Sequence, residues 1–179
     1  MPRIHVLGAS GSGTSTLGKA VAARLGCPQF DTDDFLWMRD DPPYQRVRPM
    51  PERLQRLQTA LVRSRSWVVS GALTGWGNAL VPRLDLVVFL HLDPALRLER
   101  LRAREAARWG RRILPGGDMA EQQRVFMEWA EAYDTAPPDQ RSLALHEAWL
   151  TTLPCPVLRL DGAAPTATQA AAVLAQLAG

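Results

Sequence analysis

The run Gly8-Ala9-Ser10-Gly11-Ser12-Gly13-Thr14-Ser15-Thr16 suits a backbone that wraps around an anion. Glycine lets main-chain N–H groups turn inward and approach phosphate oxygens closely. A helical pattern opening at Thr14 adds the partial positive charge of a helix N-terminus. Gly8, Gly13 and Ser15 match the phosphate-binding pattern G-x-x-x-x-G-K-[ST], in which the last hydroxyl coordinates magnesium. The expected ligand is therefore a nucleoside triphosphate with Mg2+. Candidate contacts are Gly8, Ser10, Gly11, Ser12, Gly13, Thr14, Ser15 and Thr16, with Ser15 as a metal ligand. Thr14 departs from the pattern, because a threonine hydroxyl donates a hydrogen bond but brings no charge. Lys19, the only lysine, lies one helical turn beyond Ser15 and does not easily replace it.

A second acidic constellation, Phe30-Asp31-Thr32-Asp33-Asp34, begins sixteen residues after Ser15 with Asp31. Asp33 and Asp34 also suit a helix N-cap, the role favoured for Asp34. Further on, Arg97, Arg100, Arg104, Arg108 and Arg111 recur at spacings of 3, 4, 4 and 3, which places them on one helical stripe. Leu98, Leu101 and Trp109 occupy the adjacent face. Phosphoryl transfer requires neutralisation of developing charge, and an arginine doing this contributes about 10³ to 10⁵ in rate. With Thr14 in the lysine position, a closing Arg111 or Arg112 is the obvious replacement. A solvated helix face paired with Glu99 and Glu105 is the plainer reading of the upper stripe.

The elements that must position these residues alternate along the chain. Strands are expected at Ile4–Leu7, 27–31, Trp67–Ser70, Leu86–Leu92 and Val157–Leu160. Helices are expected at Thr14–Leu25, stopped by Gly26, and at Asp33–Met38, Pro51–Ser64, Pro94–Arg112, Ala120–Tyr133, Ser142–Leu153 and Pro165–Ala178. Strands without polar alternation, separated by helices, predict an α/β fold with a doubly wound parallel sheet. Its ligand edge lies at the strands' carboxyl ends. A dinucleotide-binding reading of Gly8–Gly13 lacks its Tyr-x-x-x-Lys pair, since Tyr44 is followed by Arg48 and Tyr133 by Pro137.

Four places, Gly8–Thr16, Asp31–Asp33, Ser70-Gly71-Ala72 and Arg108–Arg112, make the chain similar to the shikimate and gluconate kinases of the adenylate kinase-like group of small P-loop kinases. The resemblance spans almost the whole chain in topology. It implies a single 1–179 domain with five strands in the order 2-3-1-4-5 and a short lid over about 105–122. It also implies ATP and Mg2+ as cofactors. By that resemblance Asp31 helps to hold magnesium, and Asp33 contacts the acceptor hydroxyl and orients or deprotonates it. Arg46 or Arg48 holds an acceptor anion, and Trp37 or Tyr44 stacks on a ring. Gly71 lets the backbone approach the acceptor closely. Arg108, Arg111 and Arg112 close over the phosphates, and the loop Asp161–Pro165 borders adenine. The glycine triplet of shikimate kinases is not reproduced. The alternative function is a nucleotide-binding module with weak or no phosphotransfer, because Thr14 replaces the lysine.

Composition bounds the rest. In 179 residues, 46% hydrophobic and 22% charged, there is room for one substantial core. No apolar run reaches the roughly 18 residues that a membrane span needs, so no membrane partner is expected. The start at Met1-Pro2-Arg3 shows no leader pattern, which points to a cytoplasmic location. Cys27 and Cys155 are expected to be free. Of 21 basic side chains all but Lys19 are arginines, and the net charge is +3. The arginine stripe lacks interleaved aromatics and any nucleic-acid motif, so the expected partner is a small-molecule acceptor, bound by a monomer or homodimer.

Overall fold

A computed structural model describes all 179 residues. Along the chain come β1 (Arg3–Gly8), α1 (Thr14–Leu25), β2 (Gln29–Asp31), α2 (Asp33–Leu36), α3 (Met50–Leu61), β3 (Trp67–Ser70) and β4 (Leu86–His91). They are followed by α4 (Pro94–Trp109), α5 (Ala120–Glu131), α6 (Leu143–Leu150), β5 (Val157–Asp161) and α7 (Thr166–Ala178). All strand pairs are parallel, in the order β2-β3-β1-β4-β5. This is the expected doubly wound sheet. It differs from the 3-2-1-4-5-6 order of dinucleotide-binding folds.

Alternation along the buried strands sends side chains to two separate cores. Leu7, Val69, Val87 and Phe89 pack with Leu57 and Leu61 of α3 and with Trp149 and Leu150 of α6. Val6, Val68, Val88 and Leu90 pack with Leu17 and Val21 of α1 and with Ala170 and Val173 of α7. Close approach of α1 to the sheet depends on Gly18, where an added Cβ would collide with the Ser70 hydroxyl. The register aligns Gly8 with Leu90, Asp31 with Ser70, and His91 with Asp161, so the strands' carboxyl ends share one edge.

Several boundaries differ from expectation. The helix α4 stops at Trp109 and does not reach Arg112. Gly110 caps it at φ 53°, and Gly110–Ile113 forms a 3-10 turn. The helix starts where Asp93 accepts from the N–H groups of Ala95 and Leu96, with Pro94 in its first turn. Residues 27 and 28 stay outside β2, and α2 ends at Leu36 because Trp37 turns extended and bridges Val47. Ser142 caps α6 and does not belong to it. His91, at the end of β4, is exposed, whereas His5 in β1 is buried. Cys27 and Cys155 are free. No helix is long and apolar enough to cross a membrane.

Candidate functional site

Between β1 and α1 the loop runs through two left-handed glycines, Gly11 at φ 87° and Gly13 at φ 99°. L-residues with a Cβ resist this conformation, so the sequence commits the loop to this path. Ser12 N donates to Ala9 O at 3.1 Å, and the Ser12 hydroxyl is buried with no partner. A buried orphan of this kind calls for a further group. Thr14 opens α1, and Lys19 is exposed further along it.

Asp31 ties this loop to the second strand. Its carboxylate accepts from the Ser15 hydroxyl in a short contact and from the Asp33 N–H at 3.1 Å. A hydroxyl and a carboxylate facing one another suit a magnesium ion, which keeps waters and takes one or two protein oxygens beside substrate phosphates. No cluster of three or more acidic, histidine or cysteine side chains offers an all-protein cage. The Asp33 carboxyl is pushed above its usual range by desolvation and then by Asp31 and Asp34, against the pull of Arg141 and Arg104. A raised carboxylate is a better proton acceptor. Gly71, at φ 104°, turns the chain away from β3 directly over Thr32, and its carbonyl is held by His5 Nε2 at 2.8 Å.

The expected acceptor region, 37–48, is closed by the Trp37–Val47 bridge. Arg46 is exposed and paired with Asp40 at 2.5 Å. Arg48, expected to hold an acceptor anion, is buried and spent locally. Its Nε donates to Phe35 O, its Nη2 to Trp37 O, and its Nη1 to Glu52 at 2.7 Å. It therefore fixes the end of α2, because those carbonyls would otherwise be unpaired at the helix terminus.

The arginine stripe divides. Arg97 leaves the solvent altogether at 1% exposure, since Asp134 at 2.7 Å and Ala130 O at 3.0 Å supply its partners. It also reaches Ser10 O at 3.4 Å, so it lies under the phosphate loop and has no part in a solvated face. Arg108, expected on phosphates, is directed at Tyr44. It donates to the Tyr44 hydroxyl at 2.6 Å and lies over the rings of Tyr44 and Trp109. Arg112 binds Asp118 at 2.6 Å and Asp41 at 2.7 Å, and Gln122 donates to Pro43 O at 2.6 Å. Arg111 is exposed and forms no ion pair. The segment 105–122 thus rests on residues 41–44.

The residue that sequence reasoning passed over is Arg141. It precedes the Ser142 cap, donates from Nη2 to Gly8 O at 3.2 Å, and lies over the face of Trp129. Its Nε is buried and unpartnered. Burial pushes its guanidinium down, while Asp33, Tyr133 and Asp31 pull it up. No motif surrounds it. Its signal was its place just before a helix cap, and that is faint among so many arginines.

The family model of the AAA domain matches residues 4–131. A curated relative, the uncharacterized protein YqaC of Bacillus subtilis (strain 168), is 47% identical over 158 residues, covering 88% of this chain and 87% of that protein. The cytidylate kinase of Archaeoglobus fulgidus is 30% identical over 114 residues, covering 58% of this chain and 62% of that protein. The solved shikimate kinase of Bacteroides thetaiotaomicron superposes with a TM-score of 0.57 at 18% identity over 99% of each chain.

Proposed function

Because this chain belongs to the AAA-domain family of small P-loop, kinase-like proteins, we propose that it is an ATP- and magnesium-dependent phosphotransferase acting on a small-molecule acceptor. One observation carries this reading. Asp31 links the Ser15 hydroxyl at the phosphate loop to the backbone of Asp33, so a metal position and a base position share one carboxylate.

In this reading Gly8–Thr16 wraps the phosphates, and Ser15 with Asp31 would hold magnesium, which would neutralise charge developing on the phosphate oxygens. Asp33 accepts the proton of an acceptor hydroxyl, and its raised basicity serves that task. Gly71 lets the chain leaving β3 turn closely over Thr32, beside Asp31 and Asp33. Arg111, with no partner of its own, swings over the transferring group. Arg112 shapes the lid through Asp118 and Asp41. Arg46 borders the acceptor mouth. The acceptor's oxygen is a hydroxyl or a phosphate.

A second reading, a nucleotide-binding module without transfer, draws on Thr14 and on lid arginines held by Tyr44, Asp41 and Asp118. The deciding experiment measures ATP consumption against nucleosides, nucleoside monophosphates, sugars and hydroxy acids, alongside nucleotide affinity. The kinase reading expects one acceptor class to stimulate magnesium-dependent turnover. It also expects Asp33→Asn to reduce that turnover by about 10² to 10⁴ with little change in ATP affinity. Tight ATP binding with no transfer to any acceptor, and no need for magnesium, would leave the binding module standing.

A further inference from the structure

The phosphate loop lacks a charge at Thr14; two of the three lid arginines are engaged elsewhere, and the third, Arg111, is exposed and forms no hydrogen bond to the loop. Arg108 lies over the rings of Tyr44 and Trp109, and Arg112 is shared between two carboxylates. Among arginines near the loop, Arg97 is neutralised by Asp134, Arg104 by Glu105, and Arg100 is drawn to Gly162 O at 2.9 Å. Arg141 is different. It reaches the loop's first carbonyl, Gly8 O, at 3.2 Å and forms no ion pair. The charges of Asp33 and Asp31 favour its protonated form from a distance, without pairing with it.

We infer that Arg141 supplies the positive charge that the phosphate loop lacks at Thr14, and so acts as a nucleotide-binding and catalytic residue 133 positions away from Gly8. This assignment rests on the nucleotide reading above. Three features prepare the side chain for that role. Its Nε is buried and unpartnered, so a donor remains for an incoming oxygen. Trp129 backs the guanidinium at 5.3 Å, fixing its plane without cancelling its charge. The other titratable neighbours offer no anion. Tyr133 keeps its proton well above the usual range, and His146 stays neutral, pushed down to about 3 by burial and by Arg141 itself. Arginine keeps its proton even where burial disfavours the charge. A guanidinium at this place also carries two parallel donors, which suit adjacent phosphate oxygens.

The test uses the full chain and titrates AMP, ADP and ATP with magnesium by calorimetry. Arg141→Gln is expected to weaken ADP and ATP by about tenfold or more, the value of a charge-assisted hydrogen bond. AMP should change by less than about twofold, because its single phosphate does not extend to the β and γ positions. Arg141→Lys should keep most of the affinity. Adding Thr14→Lys to Arg141→Gln should restore ATP binding at least partway, because the charge returns by the other route. Thr14→Lys in the otherwise native chain should gain little, since the position is already served.

The assignment is overturned by an equal loss for all three nucleotides, by no loss at all, or by failure of Thr14→Lys to rescue. If Arg141→Gln does not fold, a tenfold gain in ATP affinity from Thr14→Lys alone would overturn it, and the absence of that gain would support it. A native chain that binds none of the three nucleotides would instead sink the nucleotide reading itself.

Discussion

Arg97 and Arg112 each hold a carboxylate at about the same distance, 2.7 Å to Asp134 and 2.6 Å to Asp118, but one side chain is 1% exposed and the other 35%. Beneath the phosphate loop, removing one partner of a buried pair leaves an uncompensated charge and costs about 3 to 5 kcal/mol. On the lid, an exposed pair contributes only about 0.2 to 1 kcal/mol and weakens with salt. The same chemical contact therefore gives a rigid floor in one region and a releasable clasp in the other. A site that must hold phosphates still while letting reactants in and out needs both.

The comparison breaks most sharply at Arg111, the lid arginine with no partner. If the lid's task is to bring charge to the transferring group, Arg111→Ala should lower turnover by about 10³ or more while ATP affinity changes far less. Arg112→Ala should act more mildly and raise KM, since its guanidinium is already committed to Asp118 and Asp41. Steady-state kinetics with the acceptor found by the panel decides this. Equal effects at both positions would dissolve the distinction drawn between them.

What the sequence disclosed follows the same division. The floor was legible because backbone demands write themselves into residue types. The left-handed turns at Gly11 and Gly13, the cap at Gly26 and the two-sided burial of β4 are local rules. The arginines were not legible as individuals. In a chain whose cations are almost all arginine, type carries no contrast, and each role is set by a distant partner. Asp134 lies 37 residues beyond Arg97 and pulls it out of the solvent stripe. Tyr44 lies 64 residues before Arg108 and turns it away from the phosphates. Helical spacing reported which arginines share a face, and nothing in that spacing could say which would find a carboxylate, a ring or a carbonyl.

A second prediction probes the floor through pH. His5 is buried in β1, with its Nε2 on Gly71 O, and its pKa is lowered to about 4 by burial. His146 is lowered to about 3 in the same layer, against Tyr133 and Phe89. Both fold as neutral imidazoles, while in the unfolded chain they protonate near pH 6.5. The stability they contribute is therefore complete above about pH 6.5 and is lost as pH falls from there toward 4. For His5 alone, a fall from 6.5 to about 4 corresponds to about 3 kcal/mol. Urea unfolding at intervals between pH 7 and 4 should show this decline. His5→Gln, which keeps a donor for Gly71 O, should remove the His5 share of the decline and leave that of His146. A native chain as stable at pH 4.5 as at pH 7 would remove both histidines from the floor's account.

The mildest prediction concerns the clasp itself, at Asp118. Its carboxylate meets both Nε and Nη2 of Arg112, yet the residue is 54% exposed, so water and salt compete with the pair. Asp118→Asn should leave thermal stability nearly unchanged, because an exposed pair contributes little. It should lower the KM for ATP by a factor of about two to three, since phosphate no longer displaces a carboxylate from Arg112. Raising ionic strength from about 0.05 to about 0.5 M should shrink the difference between variant and native chain by screening the native pair. A fall in turnover of tenfold or more would reverse the assignment, making Asp118 the group that aims Arg112 and leaving the lid as rigid as the floor it covers.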